Sequence, residues 1–103
     1  MAVVVGDVVG HGLRAATVMG QLRNAFRAYA LVETSPAQTL VRLNRLLAKD
    51  GRDLMATALC IAIDRDTGDV EVASAGHPPP LVLAADGVSF LEGGRATINY
   101  GQR

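Results

Sequence analysis

Asp7 is the residue of this chain best placed to do chemistry. It follows an apolar run, Ala2-Val3-Val4-Val5, and stands among Gly6, Gly10 and Gly12. The run predicts a short strand over residues 2–5, buried on both faces, and a helical pattern begins at about Leu13. A lone carboxylate at a strand end, wrapped in glycines that let the main chain turn tightly, is suited to hold a cation or a phosphate. His11 in the same turn and His77 downstream add two imidazoles that could serve as bases or metal ligands. Taken singly, each reads as a structural or loop histidine.

Two other patterns carry chemistry on paper. Gly10-His11-Gly12-Leu13-Arg14-Ala15 fits the dinucleotide spacing G-x-G-x-x-A between a strand and a helix. A βαβ unit needs a second strand after that helix, and the next segment starts another helix instead. Asp7 would also repel a pyrophosphate unless a cation lay between them. A nucleotide-binding module therefore ranks last among the readings. Asp64-Arg65-Asp66-Thr67-Gly68-Asp69 resembles a calcium loop superficially, but its glycine falls one position early, and Ala75 stands where the closing Glu should be. A solvated hairpin turn is the simpler reading.

The elements that position these residues follow from hydrophobic period. From Leu13 to about Val32, Ala15, Met19, Leu22, Phe26 and Tyr29 fall on one helical face, with Arg14, Gln21 and Asn24 opposite. Ser35 opens a second helix: Pro36 takes the first helical position and Gln38 completes a capping box. Leu40, Leu43 and Leu47 form its apolar stripe, and Gly51 is the expected stop. From Met55 the period becomes two. Met55, Thr57, Leu59, Ile61 and Ile63 point one way, while Ala56, Ala58, Cys60 and Ala62 point the other. A sheet with large residues on one face and small ones on the other is expected to pack against a second sheet and to admit a close helix or strand. Val70–Ala75 returns as a hairpin arm, Pro78-Pro79-Pro80 stops it, and a second hairpin is expected about Asp86-Gly87. Residues 93–103 show no clear period.

Composition narrows the function classes. At 103 residues the chain is one small domain, and with 50% hydrophobic and 19% charged residues it is globular rather than disordered. Ten basic residues balance ten acidic ones, which argues against nucleic acid or an anionic membrane surface as the main partner. The four aromatics, Phe26, Tyr29, Phe90 and Tyr100, offer little for base stacking. No apolar stretch reaches membrane-spanning length and no targeting segment leads the chain. A lone cysteine, Cys60, excludes an internal disulfide and suits a reducing cytoplasm, where it reads as a small buried apolar residue.

Together the motifs resemble a known family. Gly6-Asp7-Val8-Val9-Gly10-His11-Gly12-Leu13-Arg14-Ala15-Ala16 before a long helix is similar to the metal-binding motif of the PPM-type serine/threonine protein phosphatases. The closer likeness is to their bacterial SpoIIE-like and RsbU-like branch. Leu43-Asn44-Arg45-Leu46-Leu47, Met55-Ala56-Thr57-Ala58 and Ala75-Gly76-His77-Pro78-Pro79-Pro80-Leu81 continue the resemblance in order, over roughly residues 3–91.

The resemblance implies an α+β fold, an α-β-β-α sandwich, here truncated at both ends. It implies a binuclear Mn²⁺ or Mg²⁺ centre that activates water and clamps the phosphoryl oxygens. By position, Asp7 would bridge the metals through its side chain and Val8 would contribute its backbone carbonyl. Gly10, His11 and Gly12 would form the loop beside the site, with His77 a structural or near-site residue. The implied substrate is a phosphorylated regulatory protein of the anti-sigma-factor-antagonist type. The family's further acidic ligands have no counterpart in these residues, so little or no activity is expected of the chain by itself. A non-catalytic interaction module is the alternative. Exposed sheet edges and apolar faces would favour a homodimer.

Overall fold

The computed structural model describes residues 1–10, 12–33, 35–50, 55–91 and 94–97. In chain order these give β1 (Ala2–Val8), α1 (Gly12–Val32), α2 (Pro36–Asp50), β2 (Ala56–Ile63), β3 (Asp69–Ala75), β4 (Leu81–Ala84), β5 (Gly87–Phe90) and β6 (Gly94–Thr97). Four strands form an antiparallel sheet in the order β1-β2-β3-β6, and β4 and β5 form a separate hairpin. The chain is therefore α+β.

The helices form where the apolar spacing predicts them. Ala15 and Phe26 of α1 are buried, Met19, Leu22 and Tyr29 half-buried, and Arg14, Gln21 and Asn24 exposed. At the start of α2 the Gln38 amide donates to Ser35 Oγ at 3.4 Å, a cap of the kind that contributes about 1 kcal/mol. Arg42 of α2 pairs with Glu33 at 2.7 Å and lies 5.8 Å from the Tyr29 ring centroid, which ties the two helices together near their junction. Gly51, the expected stop, lies outside the described residues.

The helix pair covers one face of the large sheet. Phe26, Leu43 and Cys60 form its core, with Val4, Leu22 and Leu40 packed against them. The register pairs Val4 with Cys60 and Gly6 with Ala58, so the small-residue row of β2 faces the helices, one of the two close neighbours its alternation admits. The opposite face carries Leu59, Val70 and Val72, with Ile61, Ile63 and Leu91 around them. A sandwich needs a second sheet on that face. Among the described residues the other sheet is the β4-β5 hairpin, whose Leu81, Leu83, Val88 and Phe90 are exposed. Sheet-on-sheet packing is not seen among the described residues.

Three boundaries differ from the sequence reading. β1 runs to Val8 rather than Val5, because Gly6, Asp7 and Val8 pair with Ala58, Thr57 and Ala56, and it is not buried on both faces, since Val3 and Val5 are exposed. The span from residue 93 onward is not wholly irregular: Gly94–Thr97 is a strand that β3 recruits, with Val70 opposite Ala96. The second hairpin turns at Ala85-Asp86, since Gly87 already pairs with Ala84.

Burial also sets a chemical property of the core. It pushes the Cys60 thiol up from its ordinary value of 9.0. The folded state then keeps the proton to higher pH than the unfolded state. This contribution to stability is complete below pH 9.0 and is lost as pH rises through the raised folded value. Melting temperature should therefore fall in alkali, and Cys60→Ala should remove that part of the slope. A slope identical in both proteins would contradict this.

Candidate metal centre

Asp7 lies one residue from the end of β1, exposed, with Thr57 of β2 directly opposite. Cross-strand partners share a face, so the Asp7 and Thr57 side chains are both on the side of the sheet away from the helices. Thr57 Oγ1 in turn meets His77 Nδ1 at 2.9 Å. His77 is half-buried and held at its backbone: Ser74 Oγ donates to the His77 carbonyl at 2.8 Å and accepts from its amide at 3.1 Å. Gly76, with φ of 67°, makes a parallel bridge to Ala58 and brings the loop to the end of β2. The sheet thus brings Asp7, Thr57 and His77 into one row.

The hydrogen-bond alternation places a second oxygen. Met1 and Ile63 exchange both backbone bonds, at 2.9 and 2.8 Å, and the Val9 amide donates to Met55 at 2.7 Å. In an antiparallel ladder alternate residues exchange bonds. Odd-numbered residues of β1, Asp7 included, therefore bond to β2. The carbonyl of Val8 instead turns to the outer edge, where β1 has no strand beside it among the described residues. Side chain of Asp7 and main chain of Val8 are thus both available at one strand end. Beyond them Gly10 has φ of 121° and Gly12 φ of 87°, conformations that favour glycine and make the reversal into α1 possible. His11 lies outside the described residues.

Hard oxygen donors of this kind suit Mn²⁺ or Mg²⁺. They do not complete a binuclear centre. Among the described residues no group of three or more His, Cys, Asp or Glu side chains could hold a metal ion. One carboxylate cannot balance two divalent cations. These residues fit part of a ligand set and supply no step of hydrolysis by themselves.

The other patterns resolve simply. Asp64 Oδ1 accepts from the amides of Asp66 and Thr67 at 2.9 and 3.3 Å, so that carboxylate caps its own turn between β2 and β3. The glycine turn joins β1 to α1, but α2 follows and the strand beside β1 is antiparallel, which is not the βαβ unit a dinucleotide requires. Sequence reasoning passes over Thr57. It is the one polar residue in the row Met55, Thr57, Leu59, Ile61 and Ile63, and that isolation is the signal that could have found it.

A family model described as Stage II sporulation protein E (SpoIIE) matches residues 1–98. The chain belongs to the SpoIIE family. A crystal structure of the RsbU and RsbW domains of Rv1364c from Mycobacterium tuberculosis is similar, with a TM-score of 0.78 and 37% sequence identity. That match covers 89% of this chain and 27% of the relative, so the chain spans about a quarter of that protein. The match sets this chain with the SpoIIE/RsbU-like proteins of the PPM phosphatase family.

Proposed function

We propose that this SpoIIE-family chain is part of a metal-dependent protein serine/threonine phosphatase domain, to whose Mn²⁺ or Mg²⁺ centre Asp7 gives its side chain and Val8 its carbonyl. The observation that carries this reading is their arrangement at the end of β1: one residue offers its side chain on the sheet face, the next its main chain at the open edge. The substrate is a phosphorylated regulatory protein of the anti-sigma-factor-antagonist type, met in the cytoplasm. A relative that carries RsbU and RsbW domains in one protein supports a protein partner. No helix among the described residues is long and apolar enough to cross a membrane. Gly10, His11 and Gly12 form the loop beside the centre, and His77 is a near-site residue acting through Thr57. The sandwich would be completed by a second sheet over Leu59, Val70 and Val72. The open edge of β1, with exposed Val3 and Val5, favours a homodimer.

The test uses Mn²⁺ as a paramagnetic probe and a phosphoserine peptide as substrate. Mn²⁺ should broaden the amide signals of Asp7, Val8 and Thr57, and Asp7→Asn should abolish that local effect. Turnover by the chain alone should stay at background, because the ligand set is incomplete. Broadening that survives Asp7→Asn would overturn the ligand assignment. Turnover that Asp7→Asn removes would overturn the expected inactivity while upholding the phosphatase reading.

That no group of three or more metal-ligating side chains forms among the described residues favours one further reading, a regulatory interaction module derived from the phosphatase fold. It predicts partner binding that is indifferent to Mn²⁺ and to Asp7→Asn.

A further inference from the structure

Between the helix pair and the sheet lies a cavity of about 400 Å³, within the range of small-molecule sites. It arises from side-chain size. At Gly6, Ala56 and Ala58 the sheet presents nothing longer than a methyl group, while Met19, Leu22 and Leu47 wall the cavity from the helices. Towards Cys60 the same layer is closed by Phe26 and Leu43. The small-residue row thus admits the helices without letting them meet the sheet along its whole length.

Two polar side chains, Arg23 of α1 and Asn44 of α2, line the cavity and are themselves exposed. Arg23 makes no ion pair or hydrogen bond among the described residues, whereas Arg42 is paired with Glu33. Asp7 borders the cavity through its strand, but the register directs its carboxylate to the opposite face. An apolar interior with a cation, Arg23, at a wet mouth is matched by a molecule with an alkyl body and an anionic head. Such a head keeps its hydration while the chain leaves water, so no charge is buried.

We propose that this cavity is a binding site for an anionic amphiphile, a carboxylate on a medium-length alkyl chain, with the head group on Arg23 and the chain between the helices and Ala56 and Ala58. The site is independent of the phosphatase reading and needs no metal.

Calorimetric titration of the chain with octanoate, decanoate and decanol, each below its micelle concentration, tests it. One site is expected, with affinity rising about fourfold per buried methylene, or about 15-fold from octanoate to decanoate. Arg23→Gln should weaken decanoate about tenfold, as loss of a charge-assisted hydrogen bond does, and leave decanol unchanged. Ala58→Leu should fill the cavity and abolish both. Affinity that ignores chain length, equal binding of decanol and decanoate by the unaltered chain, or several sites per chain that persist in both variants would overturn the proposal. If Ala58→Leu does not fold, Arg23→Gln alters only an exposed side chain and decides by itself.

Discussion

Phe26→Ala is expected to cost about 3–5 kcal/mol of folding stability. Phe26 belongs to α1, packs on Leu43 of α2 and reaches Cys60 of β2, so one side chain joins three elements. Its ring also lines the cavity beside it. Removing it would join new empty space to old, and the walls could not collapse onto both. Domains of this size have only about 5–15 kcal/mol in total, so the loss approaches the whole at the lower end. Each kcal/mol lowers the melting temperature of a domain this long by about 4–8 °C. Thermal unfolding followed by far-ultraviolet circular dichroism should show a fall of tens of degrees, or no cooperative transition at all. Phe26→Leu, which keeps most of the volume, should retain most of the stability. A loss below about 0.5 kcal/mol for Phe26→Ala, the level of an ordinary surface change, would mean that the helices are held elsewhere.

Gly6→Ala should also destabilise, by about 1–3 kcal/mol, the usual cost of forcing atoms into an occupied space. A Cβ at Gly6 would sit 2.9 Å from the carbonyl oxygen of Thr57. That oxygen is main chain, so β1 and β2 must move apart at the step that sets Asp7 against Thr57. Gly20→Ala is the control. Nothing lies within 4 Å of the Cβ it would add, and it sits inside α1, where alanine is favoured over glycine by about 0.5–1 kcal/mol. The same one-methyl change should thus lower stability at residue 6 and raise it at residue 20. Amide shifts at Asp7, Thr57 and His77 should move with Gly6→Ala and stay put with Gly20→Ala. Equal effects at the two positions would show that the contact with Thr57 is relieved at no cost.

What the sequence made legible is what local chemistry determines. The cap at Ser35 needs only residues 35–38, and the two rows of β2 need only its own alternation. The turn capped by Asp64 follows from six adjacent residues. What stayed hidden depends on partners far along the chain. Gly94–Thr97 carries no period, and its strand exists because β3 has an edge to fill. Gly6 reads as a break after Val5, yet it continues β1 because it pairs with Ala58, at a position where a side chain would strike Thr57. Thr57 lies inside a recognisable motif, but its link to Asp7 comes from strand register and its link to His77 spans twenty residues. The small row of β2 left a close helix or strand open for its face, and the helices take it. It could not show how far from the sheet they would stop.

At the end of β1 a side chain and a carbonyl come from neighbouring residues because a strand alternates in two ways at once, in its faces and in its hydrogen bonds. Such a site has an address that is odd or even rather than near or far. Sliding β1 by two residues along β2 would rebuild the same presentation with other residues. Sliding it by one would aim the Asp7 carboxylate into the apolar space beneath the helices and turn the Val8 carbonyl inward to β2. Variation in this segment is therefore expected to obey a parity rule: paired insertions keep the arrangement, and single ones erase it.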